Sequence, residues 1–120
     1  MPYASFVRIL GLVFAGTATE RRAEMALFVQ DILGLRRTQI GGVEADLYTL
    51  PDGSQFAVAD PRGMGDTDRS IGFRVEHLDD AIAELRAAGV VVDDPAENDR
   101  QRYVHFRAPD GNLYELVEDR

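Results

Sequence analysis

The sequence predicts an α+β fold built from two similar halves, each a strand, a helix and three further strands. Three observations carry this. Leu50-Pro51-Asp52-Gly53-Ser54-Gln55-Phe56-Ala57-Val58-Ala59-Asp60 resembles Ala108-Pro109-Asp110-Gly111-Asn112-Leu113-Tyr114-Glu115-Leu116-Val117-Glu118 at an offset of 58 residues. Each copy is a turn followed by an alternating strand. Upstream of each copy lie a strand, a helix ended by glycine, and a Gly-led strand.

The first half is expected over about residues 6–60. Its opening strand runs from Phe6 to Thr17 and its helix from Glu20 to Leu33, with Gly34 as the stop. Met25, Phe28, Val29, Ile32 and Leu33 recur at helical spacing and predict the face laid on the sheet. Residues 61–69 are polar, Gly-rich and without periodicity, and read as the linker. The second half covers about residues 70–118, with a strand over Ser70–Val75 and a helix over Asp79–Ala88 stopped by Gly89. Leu78, Ala81, Ile82, Leu85 and Ala88 form its apolar stripe. Asp79 or Asp80 suits its N-terminus.

The Pro-Asp-Gly turns fix the strand faces. Pro109 at the second turn position and Gly111 at the fourth suit a type I turn closed by a left-handed glycine. That three-residue loop pairs Ala108 with Asn112, His105 with Glu115 and Tyr103 with Val117. Alternation then puts Val104, Phe106, Tyr114 and Leu116 under the helix. The opposite, mixed face holds Tyr103, His105, Arg107, Leu113, Glu115 and Val117, and reads as a cleft wall. By the same logic Ser70, Gly72 and Arg74 face the cleft, as do Leu12, Phe14 and Gly16. Gln55, Ala57 and Ala59 join them by the repeat offset.

Composition narrows the function. The chain has 120 residues, 45% of them hydrophobic, enough for one domain with a real core. Its net charge of −8 argues against nucleic acid, which needs a basic footprint. It favours cationic partners. There is no cysteine, hence no disulfide and no thiolate metal site. The apolar stretch from Phe6 to Gly16 contains Arg8, is too short to cross a bilayer and lacks a cleavage pattern. The expectation is a cytoplasmic protein with no membrane partner.

His105 opposite Glu115 is the most chemical pair in the chain. Directly opposed strand residues have neighbouring Cβ atoms. A carboxylate beside an imidazole raises its pKa and poises it for acid–base work, or simply satisfies charge in a half-buried cleft. Ser70 on the same face completes a Ser/His/Glu trio on paper, but nothing local marks a nucleophile turn or an oxyanion hole. Arg74 and Arg107 are candidate anion contacts, or neutralise nearby acids. His77 reads as a surface loop residue. Leu12, Phe14, Tyr103, Leu113 and Val117, with polar Ser70 and Arg74 among them, make the kind of wall that binds small molecules.

Several segments resemble the vicinal oxygen chelate superfamily of glyoxalases, bleomycin-resistance proteins and extradiol dioxygenases. They are Ser70-Ile71-Gly72-Phe73-Arg74-Val75-Glu76-His77-Leu78-Asp79-Asp80-Ala81, Glu84-Leu85-Arg86-Ala87-Ala88-Gly89-Val90, the closing Phe106–Leu116 run and Val29-Gln30-Asp31-Ile32-Leu33-Gly34-Leu35. Their order and spacing, over roughly Leu10 to Glu118, carry the resemblance. It implies two βαβββ modules forming an eight-stranded, incompletely closed sheet around a cleft, and a homodimer. It also implies one divalent metal held by residues from the first and last strands of each module. The matching positions are Leu12, Ala57, Ser70 and Glu115, and only Glu115 carries a good metal-binding side chain. Phe14 would serve no better than Leu12.

The expected function is therefore a binding protein for a small, partly apolar, cationic or aromatic molecule, with no cofactor. The alternative is a metal-dependent lyase, isomerase or dioxygenase of the same superfamily using Glu115 and His105. A structural or regulatory dimer without ligand is the third reading.

Overall fold

The computed structural model describes residues 7–120, so Phe6 lies outside the described residues. The first half runs β1 (Gly11–Ala18), α1 (Arg22–Leu27), β2 (Arg36–Thr38), β3 (Asp46–Thr49) and β4 (Gln55–Ala59). The second runs β5 (Arg69–Arg74), α2 (Leu78–Ala87), β6 (Ala96–Glu97), β7 (Gln101–Arg107) and β8 (Leu113–Asp119). The eight strands form one curled, incompletely closed sheet in the order β2-β3-β4-β1-β5-β8-β7-β6. Within each half the first strand pairs parallel with the last, β1 with β4 and β5 with β8. The halves join through antiparallel β1 and β5.

The turns that punctuate the repeat behave alike. Gly53 and Gly111 have φ of 89° and 85°, a left-handed conformation that glycine adopts without steric cost. Gly111 N donates to Ala108 O, and Ala108 N to Asn112 O. This closes the three-residue loop and sets the β7–β8 register, with Tyr103 opposite Val117 and His105 opposite Glu115.

Each helix covers its own core. Under α2, the buried residues are Val75, Leu78, Ala81, Ile82, Val104 and Leu116, with Phe73, Leu85 and Phe106 against them. Tyr114 stacks on Phe73 and Phe106. The N-terminus of α2 is held by Glu118 on β8, which accepts from Leu78 N at 2.7 Å. A carboxylate there satisfies an otherwise free N–H and meets the positive end of the helix. Asp79 and Asp80 add charge in the first turn, without capping.

The first helix departs from the expected stripe. α1 gives way after Leu27 to a π-helical turn over Phe28–Ile32. The wider turn rotates the chain relative to a 3.6-residue period. Met25, Ala26 and fully buried Val29 pack on Tyr48, Val58 and Phe56. Phe28, Ile32 and Leu33, expected on the sheet, are exposed by 45%, 71% and 53%.

The opening strand also differs from simple alternation. β1 faces β5 with a bulge between Leu12 and Phe14, so that Leu12 opposes Phe73 and Phe14 opposes Gly72. The extra residue, Val13, is 5% exposed, whereas Leu12 is 55% exposed. A bulge flips the faces of every residue before it.

Candidate functional site

The inner face of the sheet and three loops enclose a cleft within the single chain, with a main cavity of about 610 Å³. Strand residues form its floor. Across the sheet run His105 (β7), Glu115 (β8), Gly72 (β5), Phe14 (β1) and Gln55 (β4), each paired with the next. Gly72 has no side chain because the Phe14 ring lies over it; a Cβ there would overlap the ring. The adjoining row runs Leu47, Ala57, Gly16 and Ser70.

Loops supply the walls. The β2–β3 loop brings Ile40, Val43 and Glu44 to the cavity, and the segments flanking β6 bring Asp93 and Asn98. These two stretches meet across the opening, where Asp99 N donates to Gly41 O at 3.2 Å. The inter-half linker seals another side. Met64 lines the cavity and packs so close to Gly16 that a Cβ there would lie 2.7 Å from its sulfur. Gly65 sits against Leu113.

The chemistry concentrates on one wall. His105 Nε2 lies 2.8 Å from Glu115 Oε2, with the two side chains 28% and 17% exposed. The hydrogen bond to Glu115 raises the His105 pKa above its ordinary value; burial opposes this, and the charges of Glu115 and Asp93 add to it. The Tyr103 ring meets the imidazole edge-on, with centroids 5.6 Å apart. Burial, then the charge of Glu115, pushes the Tyr103 hydroxyl pKa up. Among the described residues three carboxylates, Glu44, Asp93 and Glu115, line the main cavity, and His105 is its one basic side chain.

The sequence-derived candidates divide by position. Phe14, Tyr103, His105, Leu113 and Glu115 all line the main cavity. Leu12 does not: the bulge turns it to the outer face, and Val13 takes its place in the cleft. Arg74 lines a second, adjoining cavity and is ion-paired with Asp119. Val117 is fully buried and lines neither cavity. Arg107 holds backbone instead of facing a ligand, donating to Asp66 O at 3.1 Å and Gly111 O at 2.5 Å. Ser70 is 3% exposed, and among the described residues its Oγ has no hydrogen-bond partner, so it is not linked to His105. His77 is exposed beside Glu76. The loop-borne wall residues Ile40, Val43, Glu44, Met64 and Asn98 were not legible as site residues. The paired glycines Gly41-Gly42, where two loops touch, were the one signal for part of that wall.

The donor set does not fit the metal implied by the resemblance. Of the four matching positions, Leu12 points outward, Ala57 has no donor atom and Ser70 offers one neutral hydroxyl. Glu115 is engaged by His105. Among the described residues no group of three or more His, Cys, Asp or Glu side chains is placed to hold a metal ion. A divalent transition metal ordinarily takes three or more such ligands.

This arrangement of paired βαβββ modules is the vicinal oxygen chelate fold. Among solved structures, the chain is similar to methylmalonyl-CoA epimerase from Mycobacterium tuberculosis. The two are 20% identical with a TM-score of 0.74, covering 97% of this chain and 92% of the epimerase. A glyoxalase/bleomycin resistance protein/dioxygenase superfamily member from Vibrio splendidus 12B01 is 15% identical, with a TM-score of 0.65 over 89% of this chain and 97% of that one. Homoprotocatechuate 2,3-dioxygenase from Brevibacterium fuscum reaches a TM-score of 0.74 at 18% identity over 98% of this chain, which spans 34% of the dioxygenase. At these identities the likeness defines the fold and not the activity. No family sequence model and no curated protein matches the chain.

Proposed function

We propose that the protein binds a small, partly apolar cation in the cleft, without a metal centre. One observation carries the reading: among the described residues the main cavity is lined by three carboxylates with His105 as the one basic side chain, beside the Phe14 and Tyr103 rings. A carboxylate on a low-dielectric wall attracts a cation more strongly than one in water. Aromatic faces add to that attraction. The volume of about 610 Å³ is in the range of small-molecule sites. When His105 is charged it already satisfies Glu115, so a cation at Glu115 competes with the imidazole proton.

The metal-dependent lyase, isomerase or dioxygenase reading keeps one supporting observation, the His105–Glu115 contact inside the cavity. Metal analysis of protein purified without chelators, followed by nickel and manganese titration, separates the two. The proposal expects substoichiometric metal and no saturable binding. Stoichiometric tight binding that is lost in Glu115→Ala overturns it.

The exposed apolar residues Leu27, Phe28, Ile32 and Leu33 on the first helix, and Ile9, Leu10 and Leu12 around the bulge, support a homodimer. A second copy is the occupant proposed, and the mass in solution by light scattering tests it. A cysteine-free chain also suits the proposed cytoplasmic setting. Among the described residues no helix is long and apolar enough to cross a membrane.

A further inference from the structure

Two glycines at the seam between the halves give up their side-chain space to other residues. Gly16 and Gly72 are both buried, on β1 and β5, the strands that join the modules. A Cβ at Gly16 would meet the Met64 sulfur, and one at Gly72 would overlap Cδ1 and Cε1 of the Phe14 ring. The ring therefore leans off β1 and takes the place that a side chain on β5 would hold.

The register says what the ring stands beside. In the row across the sheet, Glu115 pairs with His105 on one side and with Gly72 on the other. Neighbouring strands lie about 4.8 Å apart. The Glu115 carboxylate thus has an imidazole on one flank and, over Gly72, the Phe14 ring on the other. Both Phe14 and Glu115 line the main cavity. Beyond Phe14 the row continues to Gln55, so between Glu115 and Gln55 it holds a bare glycine and a hydrocarbon ring, with no side-chain donor atom.

This arrangement discriminates among cations. A metal ion or a primary ammonium arriving at Glu115 sheds water and finds there one carboxylate, already in contact with His105. A fully alkylated ammonium carries its charge under a coat of carbon, gives up little hydration, and gains from an aromatic ring beside the carboxylate. We propose that Phe14, laid over Gly72, is the specificity element of the cleft, the platform on which a quaternary ammonium group rests when it meets Glu115. The proposal rests on the cation-binding reading above and adds the ligand class to it. Gly72 is a positioning residue, acting only through the ring it admits.

Calorimetric titration with benzyltrimethylammonium tests the platform. Replacing Phe14 by trifluorophenylalanine keeps a ring of nearly the same shape, no less apolar, and withdraws the negative charge from its face. Binding is expected to weaken by at least about threefold. A ring that only packs predicts equal or tighter binding, and that result overturns the platform while cation binding stands. Benzylammonium, the unalkylated counterpart, is expected to bind the wild type at least about threefold more weakly than benzyltrimethylammonium. Equal or tighter binding of benzylammonium overturns the ligand class. Gly72→Ala displaces the ring, so it is expected to weaken benzyltrimethylammonium binding in the wild type and to change nothing further when added to Phe14→Leu. The same loss in both backgrounds overturns the positioning role of Gly72. Failure of benzyltrimethylammonium to bind the wild type overturns the cation reading and this proposal together.

Discussion

The two halves place their β-hairpins in the same register and fill it with opposite chemistry. In the second half His105 faces Glu115; at the same positions of the first half, 58 residues earlier, Leu47 faces Ala57. The first pair is a half-buried imidazole–carboxylate contact at 2.8 Å, an ion pair when His105 is protonated. The second is apolar, with Leu47 and Ala57 only 6% and 5% exposed. One backbone plan thus gives a polar wall and an apolar wall around a single cleft. The helices diverge in the same sense: α2 is regular with Leu78, Ala81 and Ile82 buried, while the first helix loosens into a π turn and leaves Phe28 and Ile32 outside. The fold is repeated and the site is one-sided.

The comparison can be broken most severely at Ala57. Ala57→Glu copies Glu115 into the first half, where Leu47 offers no partner, and leaves an unpaired carboxylate on the apolar floor of the cavity. A loss of about 2–3 kcal/mol in chemical unfolding is expected. Adding Leu47→His restores part of it if the registers are equivalent; a double-mutant cycle measures the coupling. Gly72→Ala tests the shared floor of the cleft. Its new Cβ meets the Phe14 ring, so overpacking is expected to cost about 1–3 kcal/mol.

A smaller, pH-dependent effect sharpens the polar side. The His105 pKa is raised in the folded protein, chiefly by the hydrogen bond to Glu115. Its stabilising contribution is therefore complete below about pH 6.5, the unfolded value, and is lost as pH rises through the folded value. The stability gap between the wild type and His105→Gln should shrink over that window. NMR titration of His105 should show a midpoint above about 6.5 that falls in Glu115→Gln. The smallest effect is expected at Ile32→Gln. It should change monomer stability by less than about 0.5 kcal/mol, because the side chain is 71% exposed, while weakening any dimer formed through that face.

The hairpins were the most legible part of the chain. Pro109, Asp110 and Gly111 dictate a turn whose length alone sets His105 against Glu115, and the register agrees. The second helix was nearly as readable: of its expected stripe Leu78, Ala81, Ile82 and Leu85 meet the core, while Ala88 lies past the last helical residue and is exposed. The bulge at Val13 was not, because Leu12, Phe14 and Gly16 alternate as a regular strand would. Only the pairing with β5 reveals the extra residue. The π turn escaped for the same reason: Phe28, Ile32 and Leu33 fit a helical period that the backbone does not keep. Glu44, Met64 and Asn98 reach the cavity from loops, where no periodicity marks direction.

The central claim is that Glu115 holds a cation directly, in competition with the His105 proton and with no metal between them. Titration of chelator-treated protein with benzyltrimethylammonium, whose charge does not change with pH, tests it directly. The account predicts saturable binding that tightens as pH rises through the His105 midpoint and falls by at least about tenfold in Glu115→Gln. Binding that appears only after a divalent metal is added, or that is unchanged in Glu115→Gln, contradicts it.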